Sequence, residues 1–462
     1  MSQHVDNLLQ KMVLDKSASN VNQNLMKQSK SETYERLIVI CIILGHIAIG
    51  YSMGSTSPIM DVLTQTFSLN SAQRSLIGSS TLIGNVFGSL IGGFLADQFG
   101  RKKALLVAWY LLIIACMGQS LSTNLVVFIF FRMFAGFVTG THYSGITTYL
   151  SEQIDDSKLN NIMSITELTF FLGIFLSFGA GFLFNALFNA NNTWRALIFT
   201  NILIVAPAIY IMHMYLKESP VWLANRKKKN TKQDNNDEIC SLNDSITSKR
   251  NLWAITFVSV YWAGIASPSY CVAAFSISII NSLHLKYSSH LINSFMGFFG
   301  IFGVLLGMMM LKQVGTKKTL LVSLFSTATP LLLLSLLLRL FNSTTLLLQI
   351  ASITLLVMYN VACNLPAPLC LIYPAKLFPS SIKGTASGIC GMVARISTIL
   401  CMFALGHAIE KVEPNAVFLS IAGLLYIVCI LCAYLAPTDA LLYRIYEEYQ
   451  SKENKNQIET KA

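Results

Sequence analysis

A twelve-residue segment of this chain occurs twice in related form. The first copy, Gly92–Lys103, reads GGFLADQFGRKK, and the second, Gly307–Lys318, reads GMMMLKQVGTKK 215 positions later. Each copy lies between two long apolar runs and ends in a glycine followed closely by two basic residues. A short basic turn at matching places predicts a membrane protein built from two related halves.

The composition excludes an ordinary water-soluble domain. Apolar residues make up 53% of the chain and charged residues 12%, whereas soluble proteins carry about 25% charged residues. The net charge of +11 is therefore not interpreted as a nucleic-acid surface, and no nucleic-acid partner is expected. The position of the positive charges along the chain is more informative.

Twelve apolar spans can be read from the sequence, and most approach the roughly 20 residues that a helix needs to cross hydrocarbon. No period-2 alternation appears, and lipid demands that backbone groups pair internally, so the spans are predicted to be helices. The fold class expected is an all-α integral membrane protein with two pseudo-symmetric six-helix bundles. The spans lie near 37–60, 75–96, 104–120, 125–150, 161–187, 195–216, 252–280, 288–311, 319–338, 345–373, 383–409 and 414–436.

The basic residues divide unevenly between alternate loops. One side, with both termini, holds 26 Lys and Arg, and the other side holds five. By the positive-inside rule both termini are cytoplasmic, in a multi-pass protein of the cell (inner or plasma) membrane. An odd number of spans would remove this bias, which supports the count of twelve.

The spans and the polar stretches define the expected domain organisation. Nine of the ten cysteines lie in apolar spans, so no disulfide framework is expected. The expected parts are a disordered cytoplasmic tail (1–36), an N-terminal bundle (37–216), a cytoplasmic linker (217–251), a C-terminal bundle (252–436) and a cytoplasmic tail (437–462).

The first copy of the repeated segment carries the residues of a latch. Asp97 can accept hydrogen bonds from backbone N–H groups at a neighbouring helix start, while Arg101 and Lys102 can anchor at the headgroup boundary. Gly100 lets the turn approach an adjacent backbone closely. We expect a latch between two helices of one half. The alternative is a charged turn that only fixes topology.

This segment resembles the loop signature of the major facilitator superfamily, G-x-x-x-D-x-x-G-R-[RK]. Glu218–Leu223 is similar to the P-E-S-P-R-W-L signature of sugar porters and organic-ion carriers. Sugar porters and organic-ion carriers are also resembled by Arg132, Gly136, Gly140 and Tyr149–Glu152. Organic-ion carriers in particular are resembled by Leu377–Lys383 and Gly388–Arg395. The likeness covers residues 37–438 and implies a secondary transporter that works by alternating access.

The chain departs from the family pattern at several positions. Lys376 stands where the family usually has Glu, and Lys312 stands where the second loop copy would have an acid. These two lysines put in question whether the C-terminal half forms a gate of the same kind as the first half. Ser52 replaces the Asp of many proton-coupled relatives, which weakens the case for proton symport. Val260 and Tyr261 replace the Gln pair of sugar porters, which disfavours a hexose.

Three ionisable side chains stand out inside the spans: Arg132, Glu167 and Arg395. Each costs about 2.5–3.5 kcal/mol at a helix centre, so such residues usually face a cavity or a partner. Arg395 can offer two parallel N–H donors to a carboxylate, and a similarly placed Arg in organic-ion carriers is associated with anionic substrates. The alternative is a structural pair between Arg395 and an internal acid such as Glu167.

Glu167 is the proton-coupling candidate. Its place resembles that of a substrate-contacting Gln in sugar porters, and a partly dry cavity favours a carboxyl that takes up and releases a proton. A fixed ion pair with an arginine is the competing interpretation. His46 is a second coupling candidate. His46 and His142 are otherwise expected as cavity-lining residues, or as histidines satisfied by ordinary hydrogen bonds.

The remaining predicted site residues have supporting roles. His142, Tyr270 and Tyr359 are expected as walls of the substrate site. The predicted gating and structural residues are Asp97, Gly100, Arg101, Lys102, Arg132, Glu152 and Glu218, together with Pro366 and Pro368 as a hinge in the tenth span.

The sequence therefore predicts a secondary active or facilitative transporter of a small organic solute, with an organic anion or carboxylate preferred. The alternatives are a polyspecific drug or organic-cation exporter, a sugar-type porter and a membrane sensor that does not transport. No nucleophile elbow, metal-ligand spacing or P-loop appears, so an enzyme, a metal site and a cofactor are not expected. The expected partners are the solute, the bilayer and protons or another coupling ion, with the chain as a monomer.

Overall fold

The computed structural model describes residues 32–187, 190–234, 246–282, 289–340, 346–409 and 414–459. Within these ranges all regular secondary structure is helical, which confirms the predicted fold class. The helices are α1 (Glu32–Gly54), α2 (Thr56–Phe67), α3 (Ser71–Phe99), α4 (Arg101–Ser120), α5 (Leu125–Gln153), α6 (Asp156–Leu187), α7 (Ala190–Met214), α8 (Pro220–Asp234), α9 (Lys249–Ser282), α10 (Ser289–Val314), α11 (Thr316–Leu340), α12 (Leu346–Asn364), α13 (Leu369–Leu377), α14 (Lys383–Ile409), α15 (Pro414–Leu435) and α16 (Asp439–Glu459).

The long helices have the length and composition of membrane spans. In the described part of the chain, eleven helical stretches are long and apolar enough to cross a bilayer, and Phe298–Val314 forms a shorter apolar helix. Together they follow the order of the twelve predicted spans. Large apolar side chains on their outer faces are strongly exposed, which suits a hydrocarbon surround rather than water. Examples are Val126, Phe182, Phe403 and Tyr434.

Each half of the chain has its own apolar core. Trp109, Phe128 and Trp194 lie in a cluster formed mainly by α1–α7, while Phe257 and Phe418 lie in a second cluster formed by α9–α16. A bundle of helices can bury its bulky residues only against its own neighbours. The two clusters therefore mark the two bundles that the internal repeat predicts.

The repeat is visible in the backbone at Gly100 and Gly315. Both adopt positive φ, +114° and +86° respectively, at equivalent places 215 residues apart. Only glycine takes this conformation readily, and in both copies it turns the chain between two spans. The conserved turn geometry agrees with duplication of one half to give the other.

Helices α3 and α5 pack so closely that glycine is required at the contact. A Cβ added at Gly88 would lie 1.9 Å from the carbonyl oxygen of Phe137, and one at Gly136 would lie 2.0 Å from that of Thr81. In lipid, where apolar burial does not drive association, this kind of backbone approach gives helices their contact energy.

Two predicted polar segments contain helices. The linker (217–251) includes α8, and the C-terminal segment (437–462) includes α16, whose Tyr446 packs in the first core and whose Tyr449 packs in the second. Helix α16 therefore contacts both halves at one end of the molecule. We call this end the basic end; it is marked by Gly100, Gly315, Glu218, Ser380 and Asp439.

The tenth span is broken where the sequence has Pro366-Ala367-Pro368. Helix α12 ends at Asn364 and α13 begins at Leu369. Proline cannot donate a backbone hydrogen bond, so turn bonds replace the helical pattern across the break, such as that from the Ala367 N–H to the Asn364 carbonyl oxygen at 3.2 Å. The Tyr261 hydroxyl donates to the Pro366 carbonyl oxygen at 2.7 Å, which stabilises the interruption.

Candidate functional site

Five side chains from both halves share one neighbourhood between the bundles. Tyr143 on α5 and Glu167 on α6 come from the first half, and Tyr270 on α9, Cys370 on α13 and Arg395 on α14 come from the second. The charges of Glu167 and Arg395 both act on Tyr143 and on Cys370, which indicates that these side chains lie in one region of the protein. We call these five residues the central cluster.

Arg395 is half-buried and lies over an aromatic ring. Its guanidinium carbon is 5.1 Å from the centroid of the Tyr270 ring, a cation–π arrangement worth about 0.5–1 kcal/mol at an exposed site and more where water is excluded. Among the described residues, the ion pairs within 4.0 Å do not include Arg395. Its charge is therefore held in place without being neutralised by direct contact.

Glu167 faces Arg395 from the opposite half. The Glu167 side chain is 3% exposed, and its charge acts on the Tyr143 hydroxyl. In the described part of the chain, its Oε1 atom has no hydrogen-bond partner. The acid and the base thus attract one another across the central cluster but are not joined in a closed ion pair, and each keeps hydrogen-bonding capacity for a third group.

A chain of three buried rings lies beside the cluster in the first half. Trp109 Nε1 donates to His142 Nδ1 at 3.0 Å, and His142 Nε2 is 2.8 Å from His46 Nδ1. Both ring nitrogens of His142 are occupied. The structure therefore differs from the sequence expectation that His142 contacts the solute, because that ring has no nitrogen left to offer.

Arg132 lies between α4 and α5, apart from the residues named above. It is 4% exposed, its charge acts on the Cys116 thiol, and its Nε atom lacks a hydrogen-bond partner within the described ranges. The sequence suggested a structural or gating role for this charge. The structure shows a buried guanidinium with no carboxylate within 4.0 Å among the residues that it describes.

The basic end contains a buried ion network around Arg101. Arg101 is 1% exposed and donates from Nε to both oxygens of Glu152 at 3.2 and 3.1 Å. Its Nη1 lies 3.3 Å from Asp97 Oδ1, and the Ser219 hydroxyl donates to Glu152. Arg101 thus lies inside the protein, whereas the sequence suggested an anchor at the headgroup boundary.

The network joins the two halves. Asp97 accepts hydrogen bonds from the backbone N–H groups of Gly384 and Thr385 at 3.1 and 2.7 Å, at the start of α14. Arg101 also donates to the carbonyl oxygen of Ser380. The sequence correctly indicated that Asp97 would bind a helix start. It placed the latch within one half, however, and the contact crosses to the other.

Small residues allow this crossing contact to form. A Cβ on Gly93 would lie 2.2 Å from the Gly384 carbonyl oxygen, and one on Gly388 would lie 2.2 Å from that of Ser89. The backbones of α3 and α14 therefore touch at the basic end. Lys383 adds a further bond across the halves, from Nζ to the Ser151 hydroxyl at 3.0 Å.

Glu218 caps the turn between α3 and α4. Its Oε1 accepts from the backbone N–H of Lys102 at 2.9 Å, and Gly100 has no Cβ, which would otherwise lie 2.4 Å from Glu218 Oε2. The Lys102 ammonium donates to the Leu216 carbonyl oxygen at 2.7 Å. An acid at this helix N-terminus satisfies free N–H groups and the helix dipole together.

The second half repeats this cap with other residues. Asp439 accepts from the backbone N–H of Thr316 at 2.8 Å, and a Cβ on Gly315 would lie 2.3 Å from Asp439 Oδ2. Lys317 donates to the Ala436 carbonyl oxygen at 2.9 Å. The turn of the second half therefore keeps its cap, through an acid that the sequence comparison of the two loop copies did not identify.

The ion network itself is not repeated. Lys312, at the place that matches Asp97, is exposed, and Lys376 lies over the Tyr446 ring with its Nζ 5.6 Å from the centroid. The two substitutions noted in the sequence thus coincide with the loss of the acid–base cluster from one half. The two loop turns are chemically unequal.

Tyr359 differs from its sequence expectation as a wall of the site. It is 2% exposed and packs in the apolar core of the second half. Several residues that make these contacts were not among the predicted site residues: Trp109, Tyr143, Thr385 and Asp439, together with Ser380 and Lys383, which the sequence singled out only as part of the motif Leu377–Lys383. Asp439 also had a usable signal, since it follows the last span as Glu218 follows the sixth. Within the described ranges, no group of three or more His, Cys, Asp or Glu could hold a metal ion.

Comparisons with known proteins agree with this architecture. The model of the sugar (and other) transporter family matches residues 37–443. The putative metabolite transport protein YncC of Bacillus subtilis is 25% identical over 427 residues, covering 83% of this chain and 87% of that protein. The cis,cis-muconate transport protein of Acinetobacter baylyi is 24% identical over 376 residues, covering 79% and 84% respectively.

Among solved structures, the proton:xylose symporter XylE of E. coli bound to 6-bromo-6-deoxy-D-glucose superimposes with a TM-score of 0.76. The match covers 90% of this chain and 100% of that chain at 16% sequence identity. At this identity the likeness concerns the fold, and it confirms the two-bundle arrangement.

Proposed function

The chain belongs to the sugar (and other) transporter family, and from that premise we propose that it carries a small organic anion across the membrane by alternating access. The central cluster is the solute site and Arg395 is its anion ligand. The network of Asp97, Arg101 and Glu152 is the gate at the basic end. Transport of the solute needs no cofactor in this proposal.

The observation that carries the proposal is the state of Arg395. Its guanidinium lies over Tyr270 and has no carboxylate within 4.0 Å among the described residues. A cation in this setting gains most from an anion that brings two oxygens to its fork of N–H donors. The name of the muconate transport relative indicates a dicarboxylate, which is in keeping with this site.

The orientation follows from the charge of the loops. The Lys217 backbone N–H donates to the Tyr34 hydroxyl at 2.9 Å, so the start of α1 lies at the basic end, as does α16. Basic loops favour the cytoplasmic side. We therefore propose that the basic end and both termini face the cytoplasm, and that the contacts across Asp97 close the cytoplasmic entrance.

Glu167 is the proposed coupling residue. Its buried carboxyl faces a cation across the site, and protonation would cancel the attraction between the two halves. When Glu167 is ionised beside a free Arg395, and protonated when Arg395 holds one carboxylate group of the solute, the summed charge of Glu167, Arg395 and that carboxylate group stays at zero. This arrangement favours co-transport of a proton with the anion.

Arg395→Gln is expected to abolish the stabilisation of the purified protein by cis,cis-muconate in a thermal-shift assay. The charge-assisted pair contributes about 1.5–3 kcal/mol, so the affinity should fall about 10- to 100-fold. Arg444→Gln is the matched control, because the Arg444 side chain is 79% exposed on α16. Equal stabilisation of the wild type and Arg395→Gln would show that this arginine does not bind the anion.

Glu167→Gln is expected to remove the dependence of muconate uptake on an imposed pH gradient in proteoliposomes. The glutamine amide keeps the shape of the side chain and its place near Tyr143. Unlike the carboxyl, it does not take up or release a proton when a pH gradient is imposed. Counterflow of labelled muconate without a gradient should continue. Uptake that still follows the pH gradient in Glu167→Gln would assign coupling to another group.

A neutral sugar is the second candidate solute. The family match and the fold shared with a xylose symporter favour it, and the central cluster offers tyrosine hydroxyls and a carboxyl that can hydrogen-bond to a polyol. D-xylose is therefore the comparison solute in the thermal-shift assay. Stabilisation by xylose, unchanged in Arg395→Gln, would favour the sugar over the anion.

A further inference from the structure

The chain of buried rings in the first half has a fixed direction. Trp109, His142 and His46 are all fully buried. The indole Nε1 can only donate a hydrogen bond, so His142 Nδ1, which lies 3.0 Å away, must be the acceptor and carries no hydrogen. The single hydrogen of His142 is then on Nε2.

The hydrogen on His142 also fixes the tautomer of the next ring, His46. His142 Nε2 lies 2.8 Å from His46 Nδ1, and because His142 Nε2 is the donor, His46 Nδ1 is the acceptor. His46 therefore carries its hydrogen on Nε2. Protonating either ring a second time would set two donors against each other, so the chain holds both imidazoles in the neutral form.

The Nε2 atom of His46 ends the chain without a partner. It is buried, and among the described residues no acceptor lies within hydrogen-bonding distance. Native proteins leave few buried N–H groups unsatisfied, and such groups often belong to functional sites. The direction of the chain makes this atom a donor rather than an acceptor.

The position of His46 connects it to the solute site. Its ring centroid lies 5.2 Å from that of Tyr143 and 5.6 Å from that of Phe170. The charge of Glu167 in turn acts on Tyr143, and Glu167 Oε1 also lacks a hydrogen-bond partner in the described part of the chain. An unsatisfied donor and an unsatisfied acceptor thus both belong to residues near one tyrosine.

We propose that Trp109 and His142 lock His46 as the Nε2–H tautomer, and that His46 donates this hydrogen to an oxygen of the solute beside Glu167. Trp109 and His142 are positioning residues, and His46 is the specificity-determining residue of the first half. This inference rests on the proposed function in one respect, that the central cluster binds the solute.

The inference narrows the class of solute. Arg395 holds a negative end from the second half, and His46 offers one neutral N–H from the first. A neutral N–H donates a hydrogen bond to a carboxylate, carbonyl or hydroxyl oxygen and forms none with a methyl group. The solute that satisfies both is an anion with an oxygen-bearing group at its far end, such as a dicarboxylate.

The tautomers can be measured directly on the full chain in lipid nanodiscs. Solid-state NMR of protein labelled with ¹⁵N-histidine distinguishes protonated from bare ring nitrogens, and His46→Gln and His142→Gln identify the two rings. We expect both rings to be neutral with hydrogen on Nε2. Trp109→Phe removes the donor and should give a mixture of tautomers at His142 and His46.

The contact with the solute is tested with two matched probes. trans,trans-Muconate and sorbate share a six-carbon diene and differ in that sorbate has a methyl group in place of one carboxylate. His46→Asn keeps an acceptor for His142 but has no donor at the Nε2 position, whereas the longer amide of His46→Gln restores one. Loss of one hydrogen bond should raise the KM of His46→Asn for muconate about tenfold.

The expected pattern has three parts: His46→Asn raises KM for muconate with Vmax retained, it leaves KM for sorbate unchanged, and His46→Gln recovers most of the muconate affinity. If the protein binds muconate, two results would overturn the inference and leave the proposed function intact. In the first, His46 carries its hydrogen on Nδ1. In the second, His46→Asn changes the KM values for muconate and for sorbate equally. A wild type that binds neither probe overturns the proposed function and the solute contact, while the nitrogen signals still decide the tautomer lock.

Discussion

Arg101→Ala is expected to open the basic end of the protein. The guanidinium is 1% exposed and lies between the carboxylates of Asp97 and Glu152, so its removal leaves two buried negative charges facing each other. Breaking a buried ion pair in this way costs about 3–5 kcal/mol. The population of the closed form relative to the open one should fall by at least about 100-fold.

Hydrogen exchange measures this opening without knowledge of the solute. The amides of Gly384 and Thr385 donate to Asp97 in the closed form, so peptides that cover the start of α14 should exchange much faster in Arg101→Ala. Peptides from α15 serve as the internal reference. Lys103→Ala removes an exposed positive charge two residues away and should behave as the wild type. Unchanged protection at α14 in Arg101→Ala would contradict the role of the network as a gate.

Gly93→Val is expected to stop the two halves from closing at the same end. Even the first side-chain carbon would lie 2.2 Å from the Gly384 carbonyl oxygen, and this obstacle is backbone that cannot rotate away. Overpacking at such a contact costs about 3 kcal/mol, the upper end of the usual range. Helices α3 and α14 must separate, and uptake of muconate into proteoliposomes should be nearly abolished.

Gly78→Val provides the matched control on the same helix. A Cβ at Gly78 meets nothing within 4 Å, so the same substitution on α3 should leave uptake and α14 protection close to wild-type values. A thermal unfolding curve for each variant separates a closing defect from loss of the fold. Transport by Gly93→Val at the wild-type rate would mean that the α3–α14 contact is not formed during the cycle.

Much of the gate could be predicted from the sequence because its signals are local. Gly100 must be glycine for the turn, Asp97 must follow an apolar span, and Arg101 follows at a fixed distance, so these residues appear together in one short segment. Their partners could not be predicted in the same way. Thr385 is 288 residues from Asp97, and nothing in its own neighbourhood marks it as a donor.

The central site shows the same division. Arg395 and Glu167 stood out because an ionisable side chain in an apolar span is costly and therefore rare. The sequence could not decide whether the two form a closed pair, since that depends on a few ångströms between helices of different halves. It also could not separate His46 from His142, which are chemically alike, because only packing against Trp109 satisfies both nitrogens of one ring and leaves one free on the other.

The sequence by itself determined that this protein lies in a membrane, the order of its apolar spans, its duplication and the places where its charges lie. These follow from apolar length, the scarcity of charge and the repeated glycine turn, all of which act within a single segment. Only the tertiary structure decided which half each gate residue binds, that Asp439 completes the second cap, and that His46 ends a directed chain of rings. Those features depend on contacts between helices far apart in sequence, where a shift of one turn would exchange one partner for another.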